Sequence, residues 1–591
     1  MKRFFVGALA VLGALVLLSA ILFGGIAIIA SMGKPSVATK TVLEADFEKG
    51  IVENVPEDPF GQLLGKKTPT LLGVVEALEK AGDDPKVVGL VAKIGNSGSG
   101  GPAQIQEIRD AVTAFRKKGK KAIAWSETFG EFSPGNGSYY LATAFDEIWL
   151  QPSGDVGLTG LVAETMFLRG TFDKLGMVPR MDHRYEYKTA MNQYTEKKYT
   201  EAHKESNQKV MDSIFGQIVH GIAEGRKLSE GDVRSLIDRG PFLGKEAVDA
   251  KLVDGLAYRD EVYDKTKAKL GKDAKMLSLA DYRERAGGPW DDGENVALIY
   301  GVGAVQRGKS KYSPFTGAQA MGSDTVAKAF RQAIEDKSVK AILFRVNSPG
   351  GSYVASDTIW RETVRAQKAG KPVVVSMGDV AGSGGYFVAM HADKIVAQPG
   401  TITASIGVLG GKFLMNGLFD KVGLSFDEIH TSNNATMFSA THDYNPSEWA
   451  RFESWLDRVY EDFTSKVAEG RKLPIAKVKE IAKGRIWSGE DARGLGLVDE
   501  LGGYQTAIKL VRQAAKLSEK TKIHLKEFPE HKSPFERLAD RMSGREDDAS
   551  AAVTAEALET LRPLFQAAKA AGVFGNDGVL QMEDAEIARL R

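Results

Sequence analysis

One serine of this chain, Ser383, lies among glycines in a setting that suits a nucleophile. Ser383 lies in Ala381-Gly382-Ser383-Gly384-Gly385-Tyr386, between an apolar run that predicts a strand and a segment that predicts a helix. A strand-turn-helix of this kind exposes a nucleophile, and the amides at the helix start favour negative charge. The same local sequence fits equally well a tight turn whose serine caps the helix.

A serine nucleophile needs a base, and the histidines do not supply a persuasive one. His391 is two helical turns beyond Ser383, which is too far in a regular helix, and His183 and His430 occupy equivalent positions in two similar halves of the chain. A lysine is the established alternative, but it acts only when neutral, so burial must lower its pKa from about 10.4.

Lys188 is the candidate base because it lies among Tyr185, Tyr187 and Tyr194 in the sequence. Glu186 argues against it, since a carboxylate in contact would keep the lysine charged. In an extended segment alternating side-chain directions would point Glu186 and Lys188 the same way. The sequence leaves that conflict open.

An internal duplication is the strongest organisational signal in the chain. Residues 146–152 (DEIWLQP) match residues 393–399 (DKIVAQP), and residues 172–176 (FDKLG) match residues 419–423 (FDKVG). Both matches have the same spacing of 247 residues, so no gap lies between them.

The two candidate catalytic residues belong to different copies of this repeat. In the common register Asn136 stands opposite Ser383, and Ala435 stands opposite Lys188. Each copy has kept one reactive residue and lacks the other. This pattern predicts a Ser/Lys pair assembled from two related halves.

A second glycine-rich segment follows the strand before the serine. Asn347-Ser348-Pro349-Gly350-Gly351 lies at the carboxyl end of that strand, where open α/β sheets bind ligands. Paired glycines let backbone N–H groups approach a ligand and form an oxyanion hole. Gly350, Gly351 and Gly384 are therefore the candidate donors, although Pro-Gly-Gly is also an ordinary turn.

Composition narrows the class of protein. The 591 residues exceed a single domain, and a formal charge of +1 gives no electrostatic reason to expect nucleic acid. The chain has no cysteine, which excludes disulfides, thiolate metal sites and a cysteine nucleophile. Neither a phosphate-binding Gly-x-x-x-x-Gly-Lys-Ser/Thr loop nor His-Glu-x-x-His occurs, so no cofactor or metal is expected.

The amino terminus predicts a membrane anchor. Residues 4–33 are uncharged and apolar, follow Lys2 and Arg3, and are long enough to span a bilayer. Positive charges stay cytoplasmic, so the rest of the chain would lie on the far side, in a bacterial periplasm. A cleaved signal peptide is the alternative, although no clear Ala-x-Ala site follows.

Strands alternating with helices predict an α/β fold with largely parallel pairing in each copy. We divide the chain into a cytoplasmic end (1–3), an anchor (4–33), a connector (34–66), a first half with Lys188 (67–290), a second half with Ser383 (291–519) and a helical tail (520–591).

Taken together, Gly382–Tyr386, Asn347–Gly351 and Tyr187-Lys188 resemble the motifs of the long, duplicated form of signal peptide peptidase A (protease IV). The resemblance covers nearly the whole chain and implies tandem ClpP/crotonase-like domains in a bowl-shaped homotetramer. It makes Ser383 the nucleophile and Lys188 the general base. Ser405 matches the serine that hydrogen-bonds the lysine in that family. Gly382 stands where many relatives have alanine.

The resemblance implies a membrane-anchored serine endopeptidase that degrades remnant signal peptides on the outer side of a bacterial inner membrane. Two other classes stay open. A crotonase fold also handles acyl-CoA thioesters, although a periplasmic location argues against coenzyme A. Asn136 and Ala435 show that copies of the fold persist without catalytic residues, so a silent peptide-binding scaffold is the other alternative.

Overall fold

The computed structural model describes residues 36–55, 68–95, 100–313 and 318–530. The predicted anchor at 4–33 and most of the predicted tail lie outside these residues. Across the described ranges, no helix is both long enough and apolar enough to cross a membrane.

The first half alternates short apolar strands with helices, as its sequence pattern predicts. Its strands are β1 Thr41–Asp46, β2 Val87–Lys93, β3 Lys121–Ser126, β4 Glu147–Leu150, β5 Asp155–Val156, β6 Val178–His183, β7 Phe242–Leu243, β8 Gly255–Leu256 and β9 Lys275–Ser278. Its helices are α1 Leu71–Asp83, α2 Pro102–Lys117, α3 Asn136–Ala142, α4 Arg169–Leu175, α5 Asn192–Thr195, α6 Glu201–Arg226, α7 Glu230–Ile237, α8 Gly244–Asp249, α9 Arg259–Leu270 and α10 Leu279–Ala286.

The second half repeats this order. Its strands are β10 Glu294–Val302, β11 Ala304–Gln306, β12 Lys311–Tyr312, β13 Gln319–Gly322, β14 Val339–Ser348, β15 Val373–Gly382, β16 Lys394–Ala397, β17 Ile402–Ala404, β18 Leu409–Leu414, β19 Ile486–Ser488, β20 Glu500–Leu501 and β21 Ile523–Phe528. Its helices are α11 Ser323–Glu335, α12 Tyr353–Lys368, α13 Gly384–Ala389, α14 Asn416–Lys421, α15 Pro446–Arg471, α16 Ile475–Ile481, α17 Gly489–Gly494 and α18 Tyr504–Ala514.

Each half is built on its own sheet, which is largely parallel and in the second half includes the antiparallel pair β17 and β19. Among the described residues, the first sheet has the strand order β8-β4-β3-β2-β1-β9, and every neighbouring pair in it is parallel. The second has the order β19-β17-β15-β14-β10-β21, with β16 beside β15 and β20 beside β16. The mixed α/β class predicted from the alternating pattern is confirmed.

Two features join the halves. The apolar side of α2 packs in one hydrophobic cluster with residues of β10, β14 and α18, so the halves share a core. Strand β6 of the first half also pairs with β18 of the second in a two-stranded antiparallel ribbon. That ribbon leads directly to the segment that contains Lys188.

Two strands fall where the sequence analysis places other structure. Strand β1 lies in the stretch assigned to the connector, but it is an inner strand between β2 and β9. Strand β21 lies in the stretch assigned to the helical tail, but it extends the second sheet beside β10. Both strands are short and partly polar, and they pair with neighbours that are distant in sequence, so local periodicity does not identify them.

Candidate functional site

Ser383 occupies a strained turn between β15 and α13. Its backbone has φ 53° and ψ −115°, which a residue with a β-carbon adopts only at a cost. Its N–H donates to the Ala404 carbonyl oxygen at 2.7 Å. The last residues of β15 pair with β17, so the turn that contains Ser383 is fixed against the strand that precedes Ser405.

Lys188 of the first half reaches the serine of the second half within the same chain. Its Nζ lies 2.9 Å from Ser383 Oγ, 2.8 Å from Ser405 Oγ and 3.3 Å from the Ser405 carbonyl oxygen. All three side chains are 0% exposed. The structure therefore brings together the three side chains that the sequence analysis places in one site. Removal from water disfavours the ammonium form of a lysine, which suits a base.

Glu186 points away from the lysine amine. Its Oε1 accepts a hydrogen bond from Lys483 Nζ at 3.1 Å, and its side chain is half exposed. The conflict that the sequence leaves open is resolved, because this segment is a turn and not a strand. Tyr185 has φ 66°, and the Lys188 N–H donates to the Tyr185 carbonyl oxygen at 3.4 Å.

A glycine that the sequence analysis missed makes room for the lysine. Gly484 has φ 81°, and a β-carbon there would lie 2.4 Å from Lys188 Cβ and 2.5 Å from its backbone nitrogen. The Tyr187 N–H donates to the Lys483 carbonyl oxygen at 3.2 Å, which holds the two segments together. Only glycine, which has no β-carbon, allows the backbone at position 484 to lie this close to Lys188. No local signal identifies Gly484, since the contact joins residues almost 300 positions apart.

The glycine pair after β14 lies against the turn that contains Ser383. Gly350 and Gly351 have φ of 107° and 147°, and a β-carbon added to Gly384 would lie 3.1 Å from the Gly351 nitrogen. The Gly350 N–H donates to Ser348 Oγ at 3.2 Å. Val305 fixes the segment because its N–H donates to the Gly350 carbonyl oxygen at 2.8 Å.

A buried cluster of charged side chains joins the two halves on β14, the strand that precedes the glycine pair. Arg345 of β14 is fully buried and donates to Glu53 at 2.9 and 3.0 Å and to Glu107 of α2 at 3.0 Å. Burial raises the pKa of Glu107, although Arg345 acts in the opposite direction. A buried charge of this kind has to be paired, so the cluster couples the sheet of one half to a helix of the other.

Asp379 makes a further contact between the halves. It lies on β15, the strand that ends at the Ser383 turn. Its carboxylate accepts from the Gln104 and Gly101 N–H groups, at 2.9 and 3.1 Å, at the start of α2. Burial raises the pKa of Asp379, while these backbone hydrogen bonds lower it. A single acidic residue inside an apolar run is the sequence signal that indicates such a buried role.

Comparisons with known proteins agree with this geometry. The sequence profile of peptidase family S49 matches residues 114–273 and 365–518. The chain is 32% identical over 477 residues to the chloroplastic serine protease SPPA of Arabidopsis thaliana, covering 79% of this chain and 69% of that protein. It is 31% identical over 507 residues to Protease 4 of Salmonella typhi, covering 84% and 79%.

A further relative, Protease 4 of Haemophilus influenzae, is 29% identical over 489 residues, covering 79% of this chain and 77% of that protein. The two matched segments fall in the two halves, one around the lysine and one around the serine. The chain therefore belongs to peptidase family S49 and is a serine protease that acts on peptides.

Proposed function

We propose that Ser383 is the nucleophile and Lys188 the general base of this protease. The observation that carries the proposal is the 2.9 Å contact between Lys188 Nζ and Ser383 Oγ, two residues that are both fully buried. Ser405, hydrogen-bonded to the amine through its hydroxyl, orients the lysine toward the nucleophile. No histidine is needed, since a neutral amine has the lone pair that accepts the serine proton.

The reaction follows from these positions. Lys188 takes the Ser383 proton as Oγ attacks the peptide carbonyl carbon, and it returns that proton to the departing amine. Water then attacks the ester carbonyl, with Lys188 again as base, and releases the new carboxylate and Ser383. The strained turn holds Oγ at the end of β15 throughout both steps.

Gly351 and Gly384 are the proposed oxyanion donors among the three candidates. Two nearby N–H groups are already engaged. The Ser383 N–H donates to the Ala404 carbonyl oxygen, and the Gly350 N–H donates to Ser348 Oγ. The Gly351 nitrogen lies against Gly384, so the amides of these two residues can converge on one oxygen. Such a pair lowers the barrier by stabilising the charge that develops on the carbonyl oxygen.

The proposed substrates are remnant signal peptides, and the proposed location is the outer face of a bacterial inner membrane. Support comes from the apolar residues 4–33, from the protein's relatives and from the resemblance to the duplicated signal peptide peptidases. In this proposal the protein is a single-pass homotetramer with ClpP/crotonase-like halves and periplasmic active sites. An apolar peptide released in the bilayer would then reach the protease without crossing water.

Two measurements test these proposals separately. A fluorophosphonate probe should label the wild type at Ser383 and should fail to label Ser383→Ala, which reports the nucleophile alone. Hydrolysis of an apolar signal-peptide sequence and of a polar peptide of equal length, both in detergent micelles, then reports the substrate class. Labelling without preference for the apolar peptide would reject the substrate proposal, while absence of labelling at Ser383 would reject the chemistry.

A further inference from the structure

A short strand outside the two main sheets runs beside the glycine pair that follows β14. This strand, β11, belongs to a separate three-stranded sheet with β13 and β12. Three backbone hydrogen bonds join it and its preceding residue to the end of β14 and the turn beyond. The Gly303 N–H donates to the Asn347 carbonyl oxygen at 2.9 Å, the Val305 N–H to the Gly350 carbonyl oxygen at 2.8 Å, and the Ser352 N–H to the Val305 carbonyl oxygen at 2.9 Å.

The spacing of these bonds shows that the glycine segment bulges. The donors Gly303 and Val305 are two residues apart, but their acceptors Asn347 and Gly350 are three residues apart. The glycine side therefore contains one extra residue, as in a β-bulge. Bulges change the direction of the groups near them, and this one contains Pro349, which has no N–H to pair. The backbone after Pro349 thus leaves the regular pairing of a sheet.

The contact with Val305 decides which way the next amide points. The peptide between Gly350 and Gly351 is trans, so its C=O and N–H groups point in opposite directions. Its carbonyl points at β11, and its N–H, which belongs to Gly351, therefore points away from β11. The Ser383 turn lies beside the same nitrogen, since a β-carbon added to Gly384 would lie 3.1 Å from it.

The glycines themselves do not fix this orientation. Gly350 and Gly351 have φ of 107° and 147°, and glycine adopts either sign of φ at little cost. Turning the peptide over requires rotation only about the bonds on its two sides. It would present a carbonyl oxygen where the N–H now lies, and that oxygen would repel the negative charge of an oxyanion. The orientation therefore depends on the partners of the peptide.

Val305 is a firm partner. Its side chain is 2% exposed and lies in the apolar core of the second half. On its other side β11 pairs with β13, where Val305 stands opposite Met321. A β-carbon added to Gly351 would lie 2.3 Å from the Val305 carbonyl oxygen, so the two backbones are in close contact. The strand therefore supports the glycine pair from a fixed position.

The first copy of the repeat makes a different contact at the equivalent position. Strands β1 and β10 each contain one register shift, directly before Val42 and Val296. Counting on from these two residues makes Ile51 the copy of Val305. The Ile51 carbonyl oxygen accepts a hydrogen bond from Gln104 Nε2 at 3.2 Å, which is a side-chain donor. The corresponding carbonyl of the second copy, which contains the proposed nucleophile, accepts from a backbone N–H.

We propose that Val305 is a positioning residue of the proposed oxyanion hole. Its N–H holds the Gly350 carbonyl, and this contact directs the Gly351 N–H toward the carbonyl oxygen of a bound peptide. In this role Val305 acts through the glycine pair and not on the substrate. The inference rests on the proposed function, because Gly351 is an oxyanion donor only if Ser383 is the nucleophile.

Val305→Pro removes the N–H that holds the glycine pair. We expect kcat for peptide hydrolysis to fall about 10–10²-fold, less than the roughly 10²–10³-fold that follows complete loss of an oxyanion donor. KM should stay near the wild-type value, because a ground-state peptide has no oxyanion. Gln306→Pro is the matched control. It removes the next N–H of the same strand, which faces β13, and should keep the wild-type kcat.

A pair of ligands separates positioning from a general loss of structure. The aldehyde carbon of acetyl-leucyl-leucyl-leucinal bonds to Ser383 Oγ while the hydroxyl proton passes to Lys188, and the resulting oxyanion enters the proposed hole. The matching leucinol binds without this bond. Val305→Pro should weaken binding of the aldehyde by about the factor that it lowers kcat, and leave binding of the alcohol unchanged. Unfolded protein in the sample would lower both alike, so the ratio of the two affinities reports the hole.

The ratio is measured on the full chain in detergent for the wild type, Val305→Pro and Val305→Ala. Val305→Ala keeps the N–H and should keep the wild-type ratio. A wild-type ratio in Val305→Pro would overturn the inference and leave the chemistry of Ser383 intact. Equal losses in both variants would also overturn it, because packing would then be the cause. A wild type that prefers neither ligand and is not labelled at Ser383 by a fluorophosphonate would reject the proposed function, and the inference with it.

Discussion

The two copies of the repeat keep the same structural contacts but differ in their chemistry. Tyr139 Oη donates to the Leu252 carbonyl oxygen at 2.6 Å in the first copy, and Tyr386 Oη donates to Leu497 at 2.9 Å in the second. These tyrosines follow the nucleophile position by three residues in each copy. The contact that holds this helix in place is therefore independent of whether a nucleophile is present.

Backbone strain distinguishes the copies. Ser383, Ala404 and Ser405 have φ between 51° and 67°. Their counterparts Asn136, Gly157 and Leu158 lie outside the left-handed region. Strained backbone persists where the surroundings enforce it and a function requires it. The first copy adopts the same fold without this strain, so the fold itself does not require it. We attribute the strain to the proposed role of the Ser383 turn.

Asn136 shows what replaces the reactive group. Its Oδ1 accepts from the Thr159 and Gly160 N–H groups at 3.0 Å each, and its Nδ2 donates to the Gly160 carbonyl oxygen at 2.7 Å. The amide thus fixes the loop that is equivalent to the one following Ser405. In the first copy, hydrogen bonds of an amide side chain replace the hydroxyl that we propose as the nucleophile.

The largest expected effect is on activity, and it should differ between the equivalent positions Ser383 and Asn136. Ser383→Ala should lower kcat/KM by about 10⁴-fold or more, because the nucleophile is lost. Asn136→Ala should leave kcat/KM unchanged and lower stability by about 1–3 kcal/mol, because buried polar groups lose their partner. Peptide hydrolysis and urea denaturation measure the two effects. A large activity loss in Asn136→Ala would mean that the first copy takes part in catalysis.

Lys188→Met, which keeps the length of the side chain and removes the amine, should lower kcat by about 10²–10⁴-fold. Lys483→Met is the matched control, since it removes a neighbouring exposed cation whose contact is with Glu186. Hydrolysis is followed from neutral to alkaline pH. Full activity of Lys188→Met near neutral pH would show that another group is the base.

Gly484→Ala should reduce kcat by up to about 10²-fold, because the new β-carbon displaces Lys188 from the serine. Gly370→Ala is the matched control, since Gly370 has a similar φ of 76° but open space around it. Kinetics of both variants, with melting temperatures, separate backbone strain from displacement of the lysine. Equal losses in the two variants would leave Gly484 with no specific role.

The smallest effect concerns a turn that both copies retain. The Ser338 N–H donates to Asp336 at 2.8 Å, as the Lys86 N–H donates to Asp84 at 2.9 Å. Hydrogen bonds from Ser338, and then Lys526, lower the pKa of Asp336 from 3.8 to about 2.

A lowered pKa means that the Asp336 carboxylate stabilises the fold above pH 3.8 and loses this effect as the pH falls toward 2. Asp336→Asn should therefore lower the free energy of unfolding at neutral pH by less than about 1 kcal/mol, and the difference from the wild type should shrink as the pH falls from 3.8 toward 2. Urea midpoints across this range provide the measurement, and kcat should not change. A difference that stays constant between neutral pH and pH 2 would contradict the assignment.

The sequence predicts the strands around the site and the pairing of Lys188 with Ser383, because apolar runs, glycines and the repeat are all visible in the order of residues. It does not predict Gly484, Asp379 or the Arg345 cluster. Each of those depends on contacts between segments far apart in the chain. The acidic residue in an apolar run indicates a buried role for Asp379, but the local sequence does not identify its partners. The direction of the Glu186 side chain stays open in the sequence for a related reason, because the left-handed residue Tyr185 makes a turn that the sequence does not predict.

The distance along the chain between the proposed base and the proposed nucleophile determines when both are present in the growing protein. Lys188 leaves the ribosome 195 residues before Ser383, and the Gly484 segment that seats it follows another hundred residues later. Domains fold in order of synthesis. The first half therefore contains the proposed base without the proposed nucleophile. Under the proposed mechanism, activity requires that the second half has folded onto the first.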